Sequence, residues 1–419
     1  MRKRKLSFKG IPYIVKNKGF STIDFEFIFH HKYDKKYLFY LNMIRQFILT
    51  TSFDYKTEKE YKDMYSKLMI INFKMNHYIY NENLFIKFNV TLADPKVVSD
   101  YDFEAAFKFF VDAIFRPNAI DGEFDNDCFE REKEFLKNDI LSSNKNIYTE
   151  TYQRFLNIVD DNGILKDNIY NNMYLVDNSN PKEMYDVYKE LVLDNRPVII
   201  VYGDVDESIN TLIKKYYPYK NDNIEFIKDY HHYLVPFKNT KEVIEDSKYN
   251  QSVLYVAYKV KNMTNKDGFY LSVVNNILGK GVESLIFKKL RLEEGLVYSA
   301  SNWCSNVSGI LVIEAYINNE SKDRVIEVLN DSLRVLKDEN FLMERINRII
   351  DNIYYSSIRE KDNKYKKMSD FVAKKTEISY TSAELLSKYK KIDIAYLIDF
   401  IDRLTLDTIY FSRGKFNEE

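Results

Sequence analysis

Residues 23–30 alternate, with Ile23, Phe25, Phe27 and Phe29 set against Asp24, Glu26, Ile28 and His30. A period of two is the mark of a half-buried strand. From 37 to 52 the chain is strongly apolar without that period and predicts a helix. A second helix over 57–69 leads into strands at 71–80 and 84–92, turned around Asn81 and Asn83 and closed by Pro95. Phe103, Ala106, Phe107, Phe110, Val111 and Ile114 form one helical stripe that Pro117 ends. A long charged helix is predicted from Asn126 through Tyr152. Pro181 opens another helix at its first turn. The short apolar run 197–205 reads as a buried strand, and a helix follows to about Tyr217.

The stretch 218–245 is polar and irregular and reads as a linker. After it the order of elements repeats. A strand at 252–260, a helix at 267–278 and a glycine-flanked stretch at 278–300 are followed by a strand at 310–317. Then come a helix at 322–337, a long charged helix at 342–374, two short helices and a last strand at 407–412. A shared order without shared residues predicts an internal duplication. The fold class is α+β, with two similar domains, each an antiparallel sheet covered by helices. The first domain is expected at 1–217 and the second at 246–419, joined by 218–245.

Composition narrows the function classes. With 419 residues, the chain exceeds one ordinary core. Its formal net charge of -1 gives no overall pull toward nucleic acid or acidic membranes. The abundance of Tyr (35) and Phe (29) reads as codon bias rather than a stacking surface. Two cysteines, Cys128 and Cys304, allow no disulfide framework and suit a reducing, cytoplasmic compartment. The basic start MRKRKLSF lacks the apolar run of a secretory signal, and no stretch approaches the roughly 18 apolar residues of a membrane span.

Phosphate-loop, dinucleotide and nucleophile-elbow motifs are absent. The five histidines are His30, His31, His77, His231 and His232. Adjacent residues of a strand point to opposite faces, so neither neighbouring pair can ligate one metal from its own element. The stretch 278–300, LGKGVESLIFKKLRLEEGLVYSA, is more informative. Val282, Leu285, Ile286 and Leu290 share one helical face, Arg291 lies in the last turn, and Gly295 is a natural stop. Tyr298 heads the strand beyond. Taken alone, this is a capped helix with a cation at its C-terminus.

The same stretch resembles the C-terminal-domain signature of the insulinase/pitrilysin-type zinc peptidases. The shared residues are Gly279, Gly281, Ser284-Leu285, Phe287, Leu290-Arg291, Gly295-Leu296 and Tyr298-Ser299, with Arg and Tyr seven positions apart. Gly203-Asp204 and the charged run from Glu130 extend the likeness over nearly the whole chain. Active members carry His-x-x-Glu-His on the helix after the first strands. Here Asn42 and Gln46 stand at the histidine positions, Arg45 at the glutamate, and Asp139 at the third ligand. The resemblance therefore implies a chain that binds no catalytic zinc itself, since amides and a guanidinium cannot replace imidazole ligands.

What the resemblance implies instead is the non-catalytic subunit of a heterodimer. A homologous subunit would hold the zinc, and Arg291 and Tyr298 would serve its site in trans. Substrates would be short unfolded peptides, such as the leader peptides of bacteriocins and other modified peptides. Two alternatives stand beside it: a purely structural or peptide-binding homologue that captures a strand at a sheet edge, and a self-sufficient metalloenzyme with an unrecognised site.

Overall fold

The computed structural model describes residues 4–80, 83–143, 145–160, 165–166, 173–220, 222–228, 239–279, 284–360, 363–376 and 379–415. The chain divides into two compact units. The first comprises Met1–Asn144 and Asp167–Asp229, the second Lys145–Lys166 and Tyr230–Glu419.

The first unit opens with β1 (Arg4–Lys9), β2 (Tyr13–Lys16) and β3 (Thr22–Lys32), then α1 (Lys35–Thr50) and α2 (Glu58–Lys67). β4 (Asn72–Tyr80), β5 (Asn83–Ala93), α3 (Phe103–Phe115), the short pair β6 (Ala119–Ile120) and β7 (Glu123–Phe124), and α4 (Asn126–Ser143) follow. Beyond α5 (Ile147–Val159), which belongs to the other unit, come α6 (Met173–Asp177) and α7 (Pro181–Tyr188). A π-helical turn, Lys189–Leu193, β8 (Val198–Gly203), α8 (Ile209–Tyr216) and β9 (Asn223–Lys228) complete it.

Local chemistry sets these boundaries. Asp34 caps α1 by accepting from the Lys36 amide at 3.0 Å. Thr57 and Glu60 close a reciprocal capping box on α2. The alternating face of β3 buries Phe25 and Phe27 against α3, where the Phe25 and Phe107 rings lie 5.0 Å apart, edge to face. The five-stranded sheet runs β2-β8-β3-β5-β4. β2 and β8 are parallel and the other neighbours antiparallel. β1 and β9 pair separately.

The second unit takes α5, then β10 (Lys241–Asp246), β11 (Ser252–Val260) and α9 (Asp267–Gly279). One helical turn, α10 (Leu285–Phe287), passes into a π-helical turn at Lys288–Glu293, then β12 (Val297–Ser305) and β13 (Ile310–Ile317). Helices α11 (Lys322–Val335), α12 (Glu339–Arg359), α13 (Lys364–Thr376), α14 (Ser382–Lys390) and α15 (Ile394–Asp402) lead to β14 (Leu404–Arg413). Its sheet runs β10-β14-β11-β13-β12, again with one parallel pair at the edge, β10 and β14. The two sheets thus share order and strand sense, and the α+β class with two similar domains is what the structure has. Each antiparallel sheet carries one parallel edge strand that the sequence pattern did not reveal.

Three further differences concern where elements begin and end. The helix expected to run unbroken from 126 stops at Ser143, and α5 restarts with Asn146 accepting from the Tyr148 amide at 2.9 Å. The helix expected at 342–374 is two, α12 and α13. The stretch read as a linker, 218–245, contains β9 and most of β10. Asn81, His231 and His232 lie outside the described residues.

Candidate functional site

Asn42, Arg45 and Gln46 occupy one flank of α1, spaced three and four residues apart so that they share a face. The opposite side of the helix is core, with Leu41, Ile44 and Ile48 fully buried. Asn42 turns its amide back onto its own helix, Nδ2 donating to the Leu38 carbonyl at 2.8 Å. Arg45 places its charge near His77 on β4. Burial is the larger cause holding that imidazole below its ordinary pKa, and the Arg45 charge adds to it. Asp139 lies on the exposed side of α4.

These groups do not suit a zinc ion. Two amides and a guanidinium offer no imidazole, thiolate or carboxylate, and an exposed Asp139 is one ligand where three or four must converge. Among the described residues, no group of three or more His, Cys, Asp or Glu side chains is placed to hold a metal. The neighbouring histidines take separate partners. His30 Nε2 meets Asn83 Oδ1 at 2.7 Å, whereas His31 lies 3.4 Å from Glu190.

The other set of residues is built into the second unit. Ser284 caps the first turn, its Oγ accepting from the Phe287 amide at 2.9 Å. Leu285, Ile286 and Leu290 are buried, as their shared face predicts. The helix then widens into its π turn, a feature often found at functional sites. The Leu296 amide donates to the Leu290 carbonyl at 2.8 Å around Gly295, whose φ of +64° is the left-handed stop. Arg291 is exposed and Nη1 donates to the Val297 carbonyl at 2.6 Å, which uses one of five guanidinium donors.

That hydrogen bond delivers the chain into a β-bulge. Val297 pairs with Ile317 and Ser299 with Tyr316, so Tyr298 is the extra residue between them. A bulge bends its strand and re-aims a side chain. Tyr298 is 57% exposed and its hydroxyl donates to Asn318 Oδ1 at 2.7 Å. Arg291 thus bonds the carbonyl of the residue before Tyr298, and Tyr298 stands at the bulged head of the edge strand β12.

Gly279 ends α9, and a Cβ there would sit 1.1 Å from Asn302 Oδ1. Asn302 of β12 is held in that position by donating Nδ2 to the Asn275 carbonyl and to Asn275 Oδ1, at 2.9 and 2.8 Å. Gly281 lies outside the described residues. Neither Asn302 nor Asn318 carried any sequence signal, because each acquires a role only when β12 is laid beside α9 and β13.

The arrangement is a peptidase-like one with the metal chemistry missing from its expected helix. Residues 178–353 match the family model described as the peptidase M16 inactive domain. Among solved structures, a conserved protein from Enterococcus faecalis is 18% identical with a TM-score of 0.81, covering 99% of this chain and 100% of that one. A protease from Helicobacter pylori is 13% identical at a TM-score of 0.74, covering 98% and 99%. A peptidase M16 inactive domain from Pseudomonas fluorescens is 11% identical at 0.72, with both chains fully covered. At such identities the solved structures establish the fold. No curated protein matches the chain. The family likeness thus rests on residues 178–353, and the fold of M16-like structures extends over nearly the whole chain.

Proposed function

We propose that this chain is the non-catalytic subunit of a heterodimeric zinc peptidase, and that Arg291 and Tyr298 act in trans on peptide bound at the partner's site. The partner would supply the metal and the activated water. The observation that carries this reading is the exposure of both side chains beside one bulged strand end, while Asn42, Arg45 and Gln46 stand where the resemblance places histidines and a glutamate. Arg291 keeps guanidinium donors beyond the one given to Val297, and these suit the carbonyls of an extended peptide. The Tyr298 hydroxyl gives up one neutral hydrogen bond, to Asn318, in order to donate to a substrate oxygen. A donor aimed at a developing oxyanion is worth far more in the transition state than that bond is in the ground state. Substrates would be short unfolded peptides, with leader-peptide trimming as one role. Free thiols at Cys128 and Cys304 suit a reducing, cytoplasmic setting.

The test is turnover of an unfolded peptide by the complex formed with a homologous chain bearing His-x-x-Glu-His. Tyr298→Phe should lower kcat by about 10²–10³, as loss of an oxyanion donor does, and a chelator should abolish turnover. Undiminished turnover by the Tyr298→Phe and Arg291→Ala variants would leave only the structural reading. Local satisfaction of both side chains, by Asn318 and Val297, is what favours that alternative.

A further inference from the structure

Glu314 stands in the middle of β13 with Tyr255 of β11 directly opposite on one side and Ser301 of β12 on the other. Residues paired in this way share a face of the sheet. Tyr255 donates its hydroxyl to Glu314 Oε1 at 2.8 Å, the Tyr316 hydroxyl donates to the same oxygen, and Ser301 Oγ reaches Oε2 at 3.3 Å. All three donors are neutral. Among the described residues, no Lys, Arg or His forms an ion pair with this half-buried carboxylate. A partly desolvated charge without a counter-charge is costly to keep, and hydroxyl donors offset only part of that cost.

Aromatic rings surround the same spot. Tyr148 packs edge-on to Tyr316 at 5.1 Å, and Tyr152 lies 6.2 Å from Tyr255 and 6.1 Å from Trp303. The charge reaches these rings, for the hydroxyls of Tyr152, Tyr255 and Tyr316 are all pushed above their ordinary pKa, chiefly by burial and further by Glu314. Trp303 Nε1 is a buried donor with no acceptor among the described residues. The mouth is open, because Ser299 and Ser301 are exposed and Tyr148 is 57% exposed. β12 is also the edge of its sheet, so its outer main-chain groups face no strand of that sheet.

We infer that Glu314 and its ring of aromatic side chains form a receptor for the cationic side chain, arginine or lysine, of a peptide lying along β12. A guanidinium or ammonium there gains a carboxylate partner and ring faces together, which is how aromatic cages hold cations. This rests on the reading of the chain as a peptide-handling subunit and adds to it a preference for basic residues.

Trp303 is the sole tryptophan of the sequence, so its fluorescence reports on the site directly. The probe is the capped peptide Ac-Val-Thr-Arg-Thr-Val-NH2, compared with its citrulline analogue, titrated into the full chain at low salt. The arginine peptide should shift Trp303 emission saturably and bind about ten-fold more tightly than the citrulline one, the sum of an ion pair and a cation–π contact. High salt should erase the difference. Glu314→Gln should bind both peptides alike. Because that variant alters three hydroxyl partners, Ser301→Lys and Tyr148→Ala give independent arms: the tethered ammonium should block the arginine peptide, and loss of the ring should weaken it severalfold. Equal binding of the two peptides by the unaltered chain, no emission change up to millimolar peptide, or a preserved preference in folded Glu314→Gln overturns the assignment. Turnover by the complex is not needed, so a failed in-trans experiment with arginine preference intact would overturn the proposed function alone.

Discussion

Gly279 precedes Arg291 and Gly295 lies between Arg291 and Tyr298, and the two glycines are needed for different reasons. A side chain at Gly279 meets Asn302, which two hydrogen bonds to Asn275 hold against the helix end. A side chain at Gly295 meets nothing, and only its positive φ is at stake. Gly279→Ala should therefore cost about 1–3 kcal/mol through overpacking, lowering Tm by roughly 2–4 °C per kcal/mol. Gly295→Ala should cost about 1–2 kcal/mol, the strain of a left-handed residue. Thermal denaturation of the two variants, alone and with Asn302→Ala, separates the causes: Asn302→Ala should relieve the first and leave the second unchanged. Arg291 and Tyr298 were legible only through the family resemblance, in which they stand seven positions apart, because taken alone the stretch reads as a capped helix. The sequence disclosed nothing of the π turn or the bulge, which arise from backbone hydrogen bonds that no side chain announces.

The helix α5 is the element whose position the pattern concealed. Phe155 is fully buried and stacks on Tyr255, ring centres 4.7 Å apart and nearly parallel, on the sheet face away from α9. Lys259 reaches the Val159 carbonyl at the far end of the helix. Phe155→Ala should destabilise the second unit by about 3–5 kcal/mol. Amide exchange in α5 should accelerate before that in β13, and uniform acceleration would show the helix to be no separate docking element. Charged and apolar residues continue from α4 into α5 without a proline or glycine, so only Asn146 hinted at the break. Strands with a buried face were legible, and 252–260 and 310–317 fall where the pattern put them. β10 was not, since its side chains are mostly exposed and its place is set by parallel pairing with β14.

Across the whole molecule, acid should act through two histidines of the first unit. Burial holds His30 below the ordinary imidazole pKa, with His31 adding to it and Asn83 opposing, and burial with Arg45 lowers His77. The fold thus favours their neutral forms, and the unfolded chain takes up more protons once pH falls below about 6.5. Their contribution is complete above that value and is lost as pH drops toward the depressed native pKa values. The urea midpoint should fall between pH 7.5 and 5.5, and His30→Gln with His77→Gln should flatten the slope. Asp267 acts in a lower window. Burial raises its pKa, but Arg403, the Thr264 amide and Tyr396 outweigh that and lower it, so its contribution disappears only below about pH 4. The second unit's inclusion of Lys145–Lys166 bears on how the chain is made and cut. A ribosome releases α5 well before the strands it covers, the last of which, β14, ends at Arg413, so Phe155, Leu156 and Val159 must wait, unburied, until nearly the whole chain has emerged. A fragment beginning at 246 never receives that helix and would bare Val253, Tyr255, Ala257 and Val312. Such a fragment should precipitate when expressed alone, and a synthetic peptide of residues 145–166 should return it to solution.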